Sequence, residues 1–183
     1  MKTPRNSRIC KATLLIIIIC LLSLSAYAQY GGGSGTAYHP YQIWTAEQMN
    51  QIGLHKEDLD KHFRLMADID VSAYAGRSFN MIGDYATPFR GVFDGSAHTI
   101  SNFKISRSDN PIGMFGCLND PNAQIKNLGL INPTIQESFR SSVGSMVGSL
   151  REGTISDCYV KGGSISVSSA SYIGGLVGDN RGT

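Results

Sequence analysis

The sequence is short of charge. Asp, Glu, Lys and Arg make up 16% of its 183 residues, against about 25% in an average soluble domain. It has one tryptophan, six prolines and four cysteines. Beyond the basic head of the chain no cluster of lysines or arginines occurs. Nothing in the charge pattern therefore argues for nucleic acid or an anionic membrane as a partner. No apolar run reaches the ~18–20 residues of a spanning helix; the longest, Ala12–Ser25, has 14. No Lys follows any Gly-rich stretch at the spacing of a phosphate loop. No set of oxygen ligands follows the Asp68/Asp70 pair at the spacing of a calcium loop.

What the sequence has in excess is glycine. There are 21, all of them after Ala28, well above the usual share of ~7%. Serine and asparagine are also plentiful. This is the profile of a turn-rich β protein.

The segment from Met1 to Ala28 stands apart. Lys2, Arg5, Arg8 and Lys11 form a basic head, Ala12–Ser25 is apolar, and Ala26-Tyr27-Ala28 supplies small residues in an A-x-A pattern. Together they read as a secretory signal peptide cleaved after Ala28. A membrane anchor would need a longer run. A lipoprotein would need a Cys at the cleavage point, whereas Cys20 lies inside the isoleucine run. Removing the leader takes four of the 16 Lys+Arg and leaves 12 against 14 Asp+Glu, a formal charge of −2. The remaining ~155 residues suit one domain with its own core. Export makes a disulfide chemically possible. Cys117 and Cys158 sit at different phases of the pattern described below, and are read as small core or turn residues.

Residues 29–37, with Gly31-Gly32-Gly33-Ser34-Gly35, read as a flexible tether. Thr45 with Gln48 makes a capping box, and Trp44 with Met49 a hydrophobic staple, for a short helix over 46–54 that plugs one end of the fold. Residues 62–71 alternate, with Phe63, Leu65, Ala67, Ile69 and Val71 on one face, as in a half-buried strand. Asp94-Gly95 marks a turn, and His98 beyond it reads as a hydrogen-bonded turn residue.

The organising feature is a recurrence. Ile112-Gly113-Met114-Phe115-Gly116 returns as Val143-Gly144-Ser145-Met146-Val147-Gly148 and again as Ile173-Gly174-Gly175-Leu176-Val177-Gly178. The final glycines, Gly116, Gly148 and Gly178, set a period of roughly 30 residues, as in a repeat architecture. A second recurrence is Ile-x-(Asn/Asp)-apolar-x-apolar, at Ile100–Ile105, Ile125–Leu130 and Ile155–Val160. Its apolar residues change phase at Asn102, Asn127 and Asp157, which places bends there, because Asn and Asp tolerate left-handed backbone. Those three residues are expected to form one corner ladder. Asn132-Pro133 and Gly162-Gly163 mark a further corner, after which Ile135 and Ile165 begin another strand. The expected fold is all-β: a right-handed parallel β-helix or β-solenoid of about 30-residue coils with a short N-terminal capping helix. Residues 38–110 carry the cap and first coils, and 111–183 the repeats. The pattern stops mid-repeat at Thr183, so further repeats or domains are expected to follow.

The segments 144–148 and 174–178, each followed within a few residues by Gly-Thr, resemble the GLUG motif. The first copy, 113–116, departs from it and reads as a transitional coil. Upstream, Pro40-Tyr41-Gln42-Ile43, residues 62–70 and residues 89–100 are similar to the region that often precedes GLUG repeats. The resemblance implies a secreted or surface-exposed bacterial protein. Such repeats accompany large surface proteins, including immunoglobulin A-cleaving streptococcal peptidases, and have no established catalytic residues of their own. The His-Glu-x-x-His zinc motif of such a peptidase does not occur here.

The expected function is a non-enzymatic extracellular module for adhesion, display or scaffolding, with glycans or other surface proteins as partners. No catalytic, cofactor or metal residue is assigned. The alternative is the N-terminal part of a β-helix carbohydrate-active enzyme, a polysaccharide lyase or hydrolase, or the non-catalytic part of a larger surface enzyme. A hydrolase needs two carboxylates about 5–10 Å apart across one cleft, and the candidate acids are Asp68, Asp70, Asp94 and Asp157.

Overall fold

In the computed structural model the described residues are 29–76, 78–107, 111–137, 142–169 and 172–183. The expected leader lies outside them. Among the described residues sixteen strands follow one another, with a single α-helix. They are β1 (Tyr41–Ile43), helix α1 (Ala46–Ile52), a 3-10 turn (Lys56–Asp58), β2 (His62–Leu65), β3 (Ile69–Asp70) and β4 (Ala75–Gly76). Next come β5 (Val92–Asp94), β6 (Thr99–Ser101), β7 (Lys104–Ser106), β8 (Phe115–Lys126), β9 (Gly129–Ile131), β10 (Thr134–Glu137) and β11 (Ser142–Gly144). The last are β12 (Val147–Ser156), β13 (Tyr159–Lys161), β14 (Ser164–Val167), β15 (Tyr172–Gly174) and β16 (Val177–Asn180).

Every ladder between these strands is parallel, and each strand pairs with its counterpart one coil away. One sheet runs β1-β2-β5-β8-β12-β16, a second β3-β6-β9-β13, a third β4-β7-β10-β14, and β11 pairs with β15. The four strands of the second and third sheets count four coils. The chain is a β-solenoid.

The core is built from columns of equivalent residues. Ile69, Ile100, Leu130 and Val160 stack in the second sheet. Ile105, Ile135 and Ile165 stack in the third. Phe63, Phe93, Ile125 and Ile155 stack in the first. All are buried until the last coil. Phenylalanines fill the N-terminal half. Phe63 stacks on Phe93 at 6.5 Å, while Phe89 and Phe93 meet Phe115 edge-on at 5.3 and 5.4 Å. Each such side chain contributes roughly 1.5–3 kcal/mol by leaving water.

The corners use left-handed backbone, as the phase changes predict. Asn102, Asn127, Asn132 and Asp157 have φ of 60°, 54°, 52° and 52°. They do not form one ladder. Ile100 pairs with Leu130, so Asn102 stacks over Asn132 and Gly162, while Asn127 and Asp157 stack on the corner before it. The expected alignment is one strand out of step. Both corners follow the same apolar-x-Asn grammar, so local pattern alone does not tell them apart. The step from Ile100 to Ile125 falls short of the period, whereas the step from Ile100 to Leu130 matches it. That shortfall is the discordant signal.

Other local expectations change as well. Residues 62–71 form two strands around a corner, and Ala67 is only half-buried. Helix α1 ends at Ile52. Its capping box forms with an offset: Gln48 N donates to Thr45 Oγ1 at 3.2 Å, but the Gln48 side chain accepts from Trp44 N at 2.8 Å. Trp44 is half exposed and donates Nε1 to Gln42 Oε1, while Met49 is buried.

Residues 29–37 are not a flexible tether. Gly31 N donates to Gln42 O, Gln42 N to Gly32 O, Ser34 N to His39 O and His62 N to Gly35 O. Tyr30 is buried, tilted against Tyr41 and edge-on to Phe63, and its hydroxyl donates to Asp58 Oδ2 at 3.1 Å. Glycine serves close packing here. At Gly33, with φ 85°, an added Cβ would run into the Pro40 carbonyl. This segment and α1 together close the N-terminal end.

Candidate functional site

The recurring glycines are among the places where neighbouring coils come close. None of those in the three copies has a φ in the left-handed region. A Cβ on Gly113 would lie 2.7 Å from Gly148 N, and one on Gly178 would lie 2.6 Å from Gly148 O and from Val143 N. The motif glycines of adjacent coils therefore face one another, and what they permit is close backbone approach. Ile112, Val143 and Ile173 stack along this face, as do Ile82, Phe115, Val147 and Val177. Ile82-Gly83 thus occupies the motif's position one coil earlier, with too little sequence likeness to be found by pattern.

None of the four candidate acids is among the residues lining the two grooves described below. Asp68 accepts from Thr99 N at 2.8 Å and lies 3.3 Å from His98 Nδ1. Asp70 accepts from Ser72 N at 2.8 Å and Asn102 Nδ2 at 2.9 Å. Asp94 accepts from Ser96 N at 2.9 Å and Asn127 Nδ2 at 3.1 Å. Asp157 holds a left-handed corner. The Asp70–Asn102 and Asp94–Asn127 bonds join consecutive coils, so these carboxylates are inter-coil ties. His98 donates its backbone N–H to Gly95 O, as a turn residue does.

Hydrogen bonds from Thr99 hold the Asp68 carboxyl below its ordinary range, and those from Ser72 do the same for Asp70. At Asp94 burial opposes the charge, but Asn127 and Ser96 outweigh it. A carboxylate with a depressed folded pKa gives stability that is complete above its unfolded pKa, about 3.9, and is lost as pH falls through the folded value. Urea midpoints should accordingly be flat from neutral pH down to about pH 5 and fall below about pH 4. Asn102→Gly together with Asn127→Gly keeps the left-handed corners and removes two of the ties, and should make that acid limb shallower.

Cys117 and Cys158 are both free. Cys117 is buried beside Leu118, where burial pushes its thiol up to about 11. Cys158 is half-buried, and burial raises its thiol as well. A thiol kept protonated at neutral pH is a poor nucleophile.

Two open grooves mark the outer surface. One, of about 600 Å³, is lined by Asp60, His62, Arg90, Asp120, Asn122 and Gln124, among others. Asp60 Oδ1 lies 2.9 Å from Lys61 Nζ, and that partner holds its carboxyl below the ordinary range. A hydrolytic acid needs the opposite shift. Asp120 accepts from Asn122 N in a local turn. The other groove, of about 510 Å³, lies between the cap and the coils. Gly53, Lys56, Asn80, Asp84, Tyr85 and Arg107 are among its lining residues. Neither groove is legible in the sequence, because their residues come from different coils and share no local pattern.

The last coil forms a third distinctive surface. Ile173 is 55% exposed, whereas Val143, its equivalent one coil earlier, is fully buried. Tyr159 and Tyr172 are exposed, and Ile155, Val160, Ile165, Leu176 and Val177 are only partly buried. Among the described residues this face of stacked core positions has no covering layer, and its strands offer unpaired edges.

No family model matches the chain. A Gly-rich membrane protein of Evansella cellulosilytica is 35% identical over 158 residues, which take in 81% of this chain and 18% of the relative. Halomucin of Haloquadratum walsbyi is 34% identical over 155 residues, 80% of this chain and 2% of the relative. The chain thus spans less than a fifth of the length of either curated relative. A Bacteroides ovatus protein described as an immunoglobulin A1 protease superposes with a TM-score of 0.45 at 20% identity, over 84% of this chain and 66% of its own.

Proposed function

We propose that the chain is a non-enzymatic repeat module of a bacterial extracellular or cell-surface protein, of GLUG type, serving adhesion, display or scaffolding. The observation that carries this reading is the in-register stacking of four coils on a rigid apolar core, ending in a face of the same core composition. A solenoid of this kind grows by adding coils, and each added coil extends a continuous outer surface. The similarity to short stretches of two much longer proteins, one named as a membrane protein, supports a modular role in a surface setting.

Export is the testable premise. Expressed with its leader, Met1 to Ala28, in a Gram-negative host, the protein should leave the cytoplasm, and N-terminal sequencing should find Gln29 as its first residue. Retention in the cytoplasm with Met1 intact would overturn the reading.

A further inference from the structure

We propose that the flank carrying Lys56, Tyr85, Arg107, Arg151 and Arg181 is a binding site for an acidic saccharide, whose carboxylate-bearing sugar lies in the groove between the cap and the coils. The assignment adds a ligand to the surface-module reading and takes only its setting from it.

The first support is charge placement. The chain after Ala28 is net acidic, yet these four cations, of the 12 that remain, gather on one flank from elements far apart in sequence. Lys56 comes from the 3-10 turn of the cap and Arg107 follows β7, and both line the groove. Arg151 lies in β12 with its guanidinium 4.3 Å from the centre of the Tyr85 ring. Arg181 follows β16, one coil beyond Arg151, and its backbone N–H donates to Leu150 O. Its charge is held by Asp179, with Tyr172 and Tyr85 within electrostatic reach. Among the described residues two carboxylates face the flank in the ion pairs of Lys56 and Arg181: Asp84, 3.4 Å from Lys56 Nζ, and Asp179, 3.2 Å from Arg181 Nη2.

The second support is preorganisation. Asp84 Oδ1 accepts from Ala86 N at 2.8 Å, Thr87 N at 2.6 Å and Thr87 Oγ1 at 3.1 Å. Asp84 N closes the turn on Thr87 O. The loop that presents Tyr85 is therefore rigid, and Arg151 fixes the ring itself. Asn80, which also lines the groove, is tied to Asn50 through Asn80 N to Asn50 Oδ1 at 2.7 Å. A site whose groups are already placed loses little entropy on binding.

The third support is chemistry. The volume falls in the ~300–1,000 Å³ range of small-ligand sites. An aromatic ring, an amide and a set of cations suit a ligand that is hydroxyl-rich and anionic. Guanidinium and ammonium groups bond carboxylates strongly, and the ring offers an apolar face to the C–H side of a sugar. Lipid bilayers and nucleic acids call for a broad cationic surface, whereas here Lys56 and Arg181 are each paired with a carboxylate.

The test is titration calorimetry on the purified chain with three probes: trigalacturonate, a hyaluronan tetrasaccharide and sialyllactose. At least one should bind, with affinity falling as salt rises from 50 to 500 mM, while galactotriose, its neutral counterpart, should not. Lys56→Gln with Arg107→Gln should weaken binding at least tenfold, and Tyr85→Leu at least fivefold. Lys56 is largely exposed, so Lys56→Gln alone serves if the double variant melts early; it should weaken binding at least threefold. Failure of all three probes, equal binding of galactotriose, or unchanged affinity in the variants would overturn the proposal. So would inorganic sulfate binding as tightly as the saccharide, which would reduce the flank to a simple anion site. Binding to phosphatidylserine vesicles in place of the saccharides would also overturn it and indicate a membrane. Export and cleavage after Ala28 are read in a separate assay, so the two proposals fail independently.

Discussion

Gly148→Ala collapses the stability of the solenoid, whereas Gly175→Ala leaves it unchanged. Both substitutions add one methyl group to a glycine of the recurring motif, so composition and helix propensity do not distinguish them. Their surroundings do. A Cβ on Gly148 would sit 2.6 Å from Ile112 N, 2.8 Å from Ile112 O and 2.8 Å from Pro111 Cβ. Two of those three atoms are backbone, locked into the ladder in which Ile112 N donates to Ser142 O and Gly144 N donates to Ile112 O. Relief requires moving one coil relative to the next, at a cost of about 3 kcal/mol or more. That is a large part of the ~5–15 kcal/mol by which domains are stable. At Gly175 no atom lies within 4 Å and φ is outside the left-handed region, so the change should stay within ~0.5 kcal/mol. Urea melts at constant slope measure both. Equal midpoints for the two variants would mean that the motif glycines do not set the coil-to-coil distance.

That contrast shows which features of the fold a sequence carries and which it hides. A period of about 30 residues and the phase breaks at Asn102, Asn127 and Asp157 are enough to derive a coil of short strands with left-handed corners. Both are one-dimensional signals that survive stacking unchanged. The partner of each corner is harder. Asn102 and Asn127 share a local grammar, and only the global step distinguishes Asn102–Asn132 from Asn102–Asn127. The packed segment 29–37 is hidden because glycine has two uses: it loosens a chain that has nothing to pack on, and it lets a chain approach closely where there is something. Trp44, Tyr41 and the Pro40 carbonyl supply that second setting. The groove around Tyr85 is illegible for a different reason. Lys56, Tyr85, Arg107 and Arg151 come from four separate segments, and no window of sequence contains them together.

The same substitution at two equivalent positions should give the largest contrast of all. Val143 and Ile173 occupy one column of the motif face, paired residue to residue between β11 and β15. Val143→Lys places an ammonium group where relative exposure is 0%. The column of Ile112, Val143 and Ile173 holds no acid, and an unpaired buried charge costs several kcal/mol. The expected result is loss of the cooperative unfolding transition, read by circular dichroism. Ile173→Lys puts the same charge on a side chain that is 55% exposed, where it stays hydrated and should leave the melting temperature within a few degrees. It should also lower self-association, because a lysine on an open strand edge opposes edge-to-edge pairing; sedimentation velocity across a concentration series measures this. Should Ile173→Lys destabilise the protein as severely as Val143→Lys, position 173 would be buried in solution. The last coil would then be covered in the isolated protein, and a face open to receive a further coil would have to be abandoned. Retained stability with reduced association is the outcome that matches an exposed face at position 173 that mediates edge-to-edge pairing.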